Sequence, residues 1–248
     1  MKELLQLAWD VLLFRHETYA RHVARTDALK RGLTLLVLVT LLAGVVSLVV
    51  NVVGDLRPMS IEARHQEAEQ GIQEFIRSLG SMQQFFDLPP GFEREMRAYM
   101  QAGIGIGFDI EDLPTRLPKP VGRVLRDLGA FLSLPFSRLA GWMGYALWVL
   151  LVAKLLGGRA TVPQMLGATA LYAVPHILDI LGFVDCLGPT LGLVATVWGI
   201  AIYVKALSVA NDFSIGRAIT ATVVPTLVGA ALALLGLLAL LIIGLASG

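Results

Sequence analysis

Five long apolar blocks punctuate the chain, separated by segments that carry nearly all of its charge. In Gly32–Val53 only Thr34, Thr40, Ser47 and Asn51 are polar. At the helical rise of about 1.5 Å per residue, such a run crosses a hydrocarbon core of ~30 Å. Phe131–Leu156, Val162–Val184, Gly188–Ala210 and Ile215–Ala246 repeat the signature. The pattern predicts an all-α polytopic membrane protein with five transmembrane helices, each long enough to cross once with some tilt.

The polar segments have patterns of their own. Within residues 1–31, Leu4, Leu5, Ala8, Val11 and Leu12 recur at helical spacing, the mark of an amphipathic helix on a membrane surface. The bland reading of the same stretch is a short basic tail that orients the first span. Residues 55–127 hold most of the acids. There Ile61, Ala68, Ile72, Phe75, Ile76 and Leu79 form one stripe opposite Glu62, Glu67, Glu69, Glu74 and Arg77, ending at Pro89-Pro90. Phe92, Met96 and Tyr99 mark a second short amphipathic helix, and Val121, Val124, Leu125, Leu128 and Leu132 a third. Gly103, Gly105 and Gly107 between them predict a flexible linker. They are not a dinucleotide fingerprint, because Phe108 stands where its last glycine would be. The chain thus divides into a cytoplasmic segment 1–31, a first span 32–54, an extracytoplasmic helical segment 55–127 and a four-helix transmembrane region 128–248.

Composition sharpens this picture. A 56% hydrophobic content and a mean hydropathy of +0.70 are too apolar for an ordinary soluble domain. A net charge of +1 offers nothing to nucleic acid. The single Cys186 excludes an intramolecular disulfide and any multi-cysteine metal site. The first apolar block is longer than a signal-peptide core and follows a charged segment, so it reads as a retained span. Charge then sets direction. The basic N-terminal tail, the turn with Lys154 and Arg159, and the hairpin with Lys205 and Arg217 fall on one side, and Asp185 and the acidic 55–127 segment fall on the other. By the positive-inside rule the N-terminus is cytoplasmic and the C-terminus extracytoplasmic.

Between the last two spans, Asn211-Asp212-Phe213-Ser214 reads as a tight hairpin. Asn211 tolerates a left-handed helix end, Ser214 serves as N-cap, and Phe213 and Ala218 stand at staple spacing. Lys205, Asn211, Asp212, Ser214 and Arg217 form a candidate cytoplasmic contact surface.

The third span carries the polar groups of interest. On an α-helix Thr169, Tyr172, His176 and Asp179 share one face, with Pro175 among them removing the N–H that would serve the Leu171 carbonyl. Ionisable groups in a span are costly and face protein or a water-filled cavity. Two readings stand. His176 and Asp179 line a polar pathway, as in a small transporter or channel, or they bond across helices with an ion pair from Arg138 to Asp179 or Asp185 at the outer end. The spacing of His176, Asp179, Asp185 and Cys186 matches no metal site, and no serine lies in a Gly-x-Ser-x-Gly turn. The expectation is therefore a protein without catalytic residues, metal or cofactor. Gly188/Gly192 and Gly229/Ala233 permit close helix packing, so the expected partners are the bilayer and other membrane proteins or a second copy.

The run Trp198-Gly-Ile-Ala-Ile-Tyr-Val-Lys-Ala-Leu-Ser-Val-Ala-Asn-Asp-Phe-Ser-Ile-Gly-Arg-Ala218, followed by Pro225, resembles the closing half of Yip1-domain membrane proteins. Leu12-Leu-Phe-Arg-His-Glu-Thr-Tyr-Ala-Arg-His, leading into the first span, is similar to the opening of bacterial members. The resemblance implies five spans and a cytoplasmic N-terminus, and together with the absence of a catalytic constellation it leads to the expectation of a membrane scaffold or interaction protein of a bacterial plasma membrane. Eukaryotic relatives engage small GTPases through a longer N-terminal region with an Asp-Leu-Tyr-Gly-Pro element. This chain has neither, so that role is not implied. The 55–127 segment has no counterpart in the resemblance.

Overall fold

The computed structural model describes residues 2–56, 61–82, 91–112, 118–184 and 188–246. Among the described residues every regular element is helical: α1 (Lys2–Leu12), α2 (His16–Val23), α3 (Ala28–Leu56), α4 (Ile61–Met82), α5 (Phe92–Asp112), α6 (Lys119–Leu155), α7 (Val162–Thr169), a 3₁₀ segment (Ala170–Phe183), α8 (Gly188–Asn211) and α9 (Ile215–Ala246). Five helical stretches are long and apolar enough to cross a membrane: Ala28–Leu56, Pro120–Leu155, Val162–Phe183, Thr190–Asn211 and Ile215–Gly236. The chain folds as two units, Met1–Asn51 with Asp127–Gly248, and Val52–Arg126.

In the larger unit the core gathers Leu35 and Leu36 of α3, Trp142 and Val149 of α6, Met165 of α7, Leu171 of the 3₁₀ segment, and Ile202 and Leu207 of α8. Lipid tails are as apolar as these side chains, so hydrophobicity alone does not hold spans together; close backbone approach does. Gly32 faces Gly167, and a Cβ added at Gly167 would stand 2.7 Å from the Ala28 carbonyl carbon. Two glycines thus let α3 and α7 touch through their backbones.

The N-terminal segment is not a tail. α1 and α2 fold onto this core with Val11 and Tyr19 fully buried, and the Tyr19 hydroxyl donates to the Val11 carbonyl at 2.9 Å. Burial pushes the Tyr19 phenol upward from its ordinary range. α1 ends in a left-handed residue, Phe14 (φ 53°), with Arg15 N–H returning to the Asp10 carbonyl and its guanidinium to the Asp10 carboxylate at 2.7 Å. Leu5 and Trp9 face outward from α1, as does Leu13 just beyond its end. The apolar face legible in the sequence is therefore two faces, one in the core and one exposed.

In the smaller unit α4 packs on α5, burying Ile72 and Ile76, while Phe75 stays half exposed. Asp55 receives Arg126 at 3.2 Å and Arg123 at 3.9 Å. Two expectations fail here. The helix beginning at Phe92 does not give way to a linker; α5 continues through Gly103, Gly105 and Gly107 to Asp112. Each glycine costs a helix about 1 kcal/mol relative to alanine, and the packing of α5 on α4 acts against that penalty. The third amphipathic helix is not separate either, since it forms one 37-residue helix with the second span. Pro135 interrupts one backbone bond there without ending the helix, and the Ser133 and Ser137 hydroxyls donate to neighbouring carbonyls at 2.9 and 3.0 Å. Pro89-Pro90 lies outside the described residues.

Candidate functional site

The third span begins as the sequence dictates. Thr161 caps α7 with a complete capping box: its N–H donates to Gln164 Oε1 at 3.0 Å and its hydroxyl accepts from Gln164 N–H at 3.4 Å, with Pro163 in the first turn. After Thr169 the span tightens into a 3₁₀ helix, and this changes which side chains share a face. At 120° per residue the column is Ala173, His176 and Asp179, while Tyr172 stands on the next column with Pro175. Of the four residues expected on one face, Tyr172, His176 and Asp179 still line one void, while Thr169 stands at the end of α7. Thr169 is fully buried, and its hydroxyl donates to the Met165 carbonyl at 2.8 Å, a purely local bond. Tyr172 packs edge-on against His176 and Tyr203, with ring centroids 5.8 and 6.4 Å apart.

His176 and Asp179, eclipsed on one column, meet directly at 2.9 Å between Nδ1 and Oδ2. A carboxylate only accepts, so Nδ1 carries the proton and donates. That leaves Nε2 on the far edge of the ring, toward α8, where a Cβ added at Gly199 would come within 3.5 Å of it. The same Cβ would stand 2.9 Å from the Tyr172 carbonyl oxygen. In a 3₁₀ ladder the N–H serving that carbonyl belongs to residue 175, which is proline. The carbonyl deprived by Pro175 is thus Tyr172, not Leu171 as an α-helix would have it, and α8 approaches it through a glycine.

His176 and Tyr172 border two spaces. On the Asp179 side is a void of about 40 Å³, lined also by Thr40 of α3 and Arg138 of α6. This is the size of one water molecule. On the α8 side is a cavity of about 370 Å³ between α6, the 3₁₀ segment, α8 and α9, walled by Trp142, Tyr145, Tyr172, His176, Ile200 and Tyr203. Arg138 thus lies at the Asp179 end, where sequence reasoning sought a cation. Asp179 bonds His176, and Asp185, the other expected partner, lies outside the described residues. Among the described residues no three His, Cys, Asp or Glu side chains converge as a metal site would require.

At the other end of the bundle the hairpin residues separate by burial. Asn211 is 1% exposed and accepts from Ala160 N–H through Oδ1 at 3.2 Å, while its Nδ2 donates to the Leu207 carbonyl at 3.1 Å. It ties the end of α8 to the turn between α6 and α7. The left-handed residue is its neighbour Asp212 (φ 55°), which corrects the expectation for Asn211. Asp212 N–H bonds the Val209 carbonyl and Phe213 N–H bonds that of Ser208, the two bonds of a Schellman motif. Ser208, which the sequence did not single out, closes the turn by donating to the Phe213 carbonyl at 2.6 Å. The Ser214 hydroxyl is 3.5 Å from Arg217 N–H, too long for a strong cap. Asp212, Ser214 and Arg217 are exposed at the tip, and Lys205 is partly buried below it.

Three further residues lay beyond sequence reasoning. His22 is buried with Nε2–H donating to the Gly167 carbonyl at 3.1 Å, and desolvation holds its pKa below the ordinary histidine value. Tyr145 donates to the Thr222 carbonyl of α9 at 2.7 Å. Trp142 is 5% exposed, and its Nε1–H has no partner among the described residues. Each rests on a meeting of distant segments, for which one sequence carries no signal.

No curated protein and no solved structure matches the chain. The model of the Yip1 domain matches residues 9–239. Five membrane-spanning helices and a family match over nearly the whole length place this multi-pass integral membrane protein in the Yip1-domain family.

Proposed function

We propose that the chain is a non-enzymatic scaffold or interaction protein of a bacterial plasma membrane, holding a lateral partner against its last span. The observation that carries this reading is the isolation of α9. Only 11% of its central apolar window is buried, against 50% for the third span. α9 touches its own bundle through Ala218, Ala221 and the Tyr145–Thr222 bond, then presents Leu227, Val228, Leu232 and Leu235 outward. Gly229 lies in open space on the same length of helix. Such a surface fits a second copy or another membrane protein through small-residue packing. The orientation proposed is N-terminus cytoplasmic and C-terminus outside. The Asn211–Ala160 and His22–Gly167 bonds support it, because they gather the three basic segments at one end of the bundle. The hairpin tip of Asp212, Ser214 and Arg217 is then the cytoplasmic contact surface.

The test is cysteine cross-linking in native membranes, in a Cys186→Ser background. Gly229→Cys and Ala233→Cys should cross-link to a second copy or a discrete partner, and Ala218→Cys, which faces the core, should not. Absence of adducts at both α9 positions, with a monomer by light scattering in detergent, overturns the reading.

A second reading, a small transporter or channel, is favoured by the two spaces flanking His176. It requires flux in proteoliposomes that is abolished by Asp179→Asn. Intact flux in that variant, or none in the wild type for any ion tested, removes it.

A further inference from the structure

We infer that the cavity beside His176 is a binding site for a membrane-soluble phenol: one aromatic ring bearing a hydroxyl, with a short alkyl tail. The inference is independent of the scaffold reading and concerns a different face of the bundle.

Access comes first. Gly141, Thr196 and Ile200 line the cavity and are also exposed on the outside of the spans. Trp142 stands 12 residues before Lys154, about 18 Å along α6 at the helical rise, near the middle of a ~30 Å core. A ligand therefore enters sideways from hydrocarbon, so it must be lipid-soluble.

Polarity comes next. At this depth no water competes for hydrogen bonds, and an unserved polar group is costly. His176 Nε2 is such a group: with Nδ1–H committed to Asp179, it offers a lone pair toward the α8 side. A hydroxyl answers it, since its O–H donates. A phospholipid acyl chain does not, having no polar atom at mid-depth.

Shape completes the argument. The walls supply Trp142, Tyr145, Tyr172 and Tyr203, with Tyr145 and Tyr203 tilted at 49° and 5.7 Å apart. Such rings favour an aromatic guest over a branched aliphatic one. A volume of about 370 Å³ falls at the low end of small-molecule pockets. That leaves ample room for one ring and a short tail, since about 150 Å³ suffices for benzene.

The experiment uses the full chain in nanodiscs and two photoprobes, a diazirine-bearing alkylphenol and the same molecule without its hydroxyl. The phenol should label peptides of α6 and α8 bordering the cavity saturably. The deoxy probe should require roughly two- to tenfold higher concentration, the worth of one neutral hydrogen bond. His176→Phe should impose the same loss on the phenol alone. Gly141→Phe fills space where an added Cβ meets nothing within 4 Å, so it should abolish labelling without unfolding the protein. Should that variant fail to fold, the two probes on the wild type still decide. Equal labelling by both probes, adducts spread over the lipid-facing residues, or a co-purifying phospholipid that excludes the phenol each overturn the proposal.

Discussion

Asn211 and Asp212 are adjacent, similar in size and opposite in what the fold asks of them. The perturbation is a glycine at each position in turn. Asn211→Gly strips an amide from a fully buried site. The Ala160 N–H it serves becomes a buried donor without a partner, a cost of about 1–3 kcal/mol. Losing the second bond, to the Leu207 carbonyl, adds about 0.5–1.5 kcal/mol. The glycine inside the last helical turn adds up to about 1 kcal/mol more. The expected destabilisation is therefore about 1.5–5.5 kcal/mol, whose upper part is among the larger effects a point substitution produces. Asp212→Gly does the reverse. It relieves a side chain held at φ 55°, where glycine rests without a Cβ clash, and removes no hydrogen bond on which the turn depends. It should be neutral or stabilise by up to about 1 kcal/mol. Thermal unfolding of both variants in one detergent, with cysteine protection at Ala160→Cys as a local probe, separates the two. The reasoning is refuted if Asn211→Gly matches the wild type, or if Asp212→Gly is the more damaging of the pair.

Three more outcomes follow from the same geometry. His22 is buried with its pKa below the unfolded value, so as pH falls through about 6.5 the native state takes up fewer protons than the unfolded state. Melting temperature should therefore drop on acidification from pH 7.5 and level off below the native pKa, and His22→Asn should flatten that slope; an unchanged slope contradicts it. Gly199→Ala places a methyl against the Tyr172 carbonyl and should cost about 1–3 kcal/mol, whereas Gly192→Ala, with nothing within 4 Å, should cost almost nothing in the same melting assay. Tyr145→Phe should lose about 1 kcal/mol with its bond to the Thr222 carbonyl, and should raise the accessibility of a cysteine at Ala221 to thiol reagents.

The spans were legible because the bilayer imposes a length and an apolarity that any reader of Gly32–Val53 can measure. The hairpin after Asn211 was equally local, apart from which of two neighbours turns left-handed. That choice depends on Ala160, fifty-one residues away, which claims the Asn211 amide and leaves Asp212 to make the turn. The third span was misread for a related reason. Hydropathy does not distinguish an α-helix from a 3₁₀ helix, and the stripe from Thr169 to Asp179 was drawn with the wrong angle per residue. Tyr172, His176 and Asp179 nonetheless line one void, because residues three and four apart are close in either geometry. Trp142, Tyr145 and His22 acquire their roles from contacts between elements, to which periodicity is blind.

The 3₁₀ segment also stores length. Fourteen residues at about 2.0 Å rise cover about 28 Å, where an α-helix would cover about 21 Å. Each residue that passed from one form to the other would draw the outer end of the span inward by about 0.5 Å and turn it by about 20°. Over the seven residues from Ala170 to His176 that is a screw motion of some 3.5 Å and 140°.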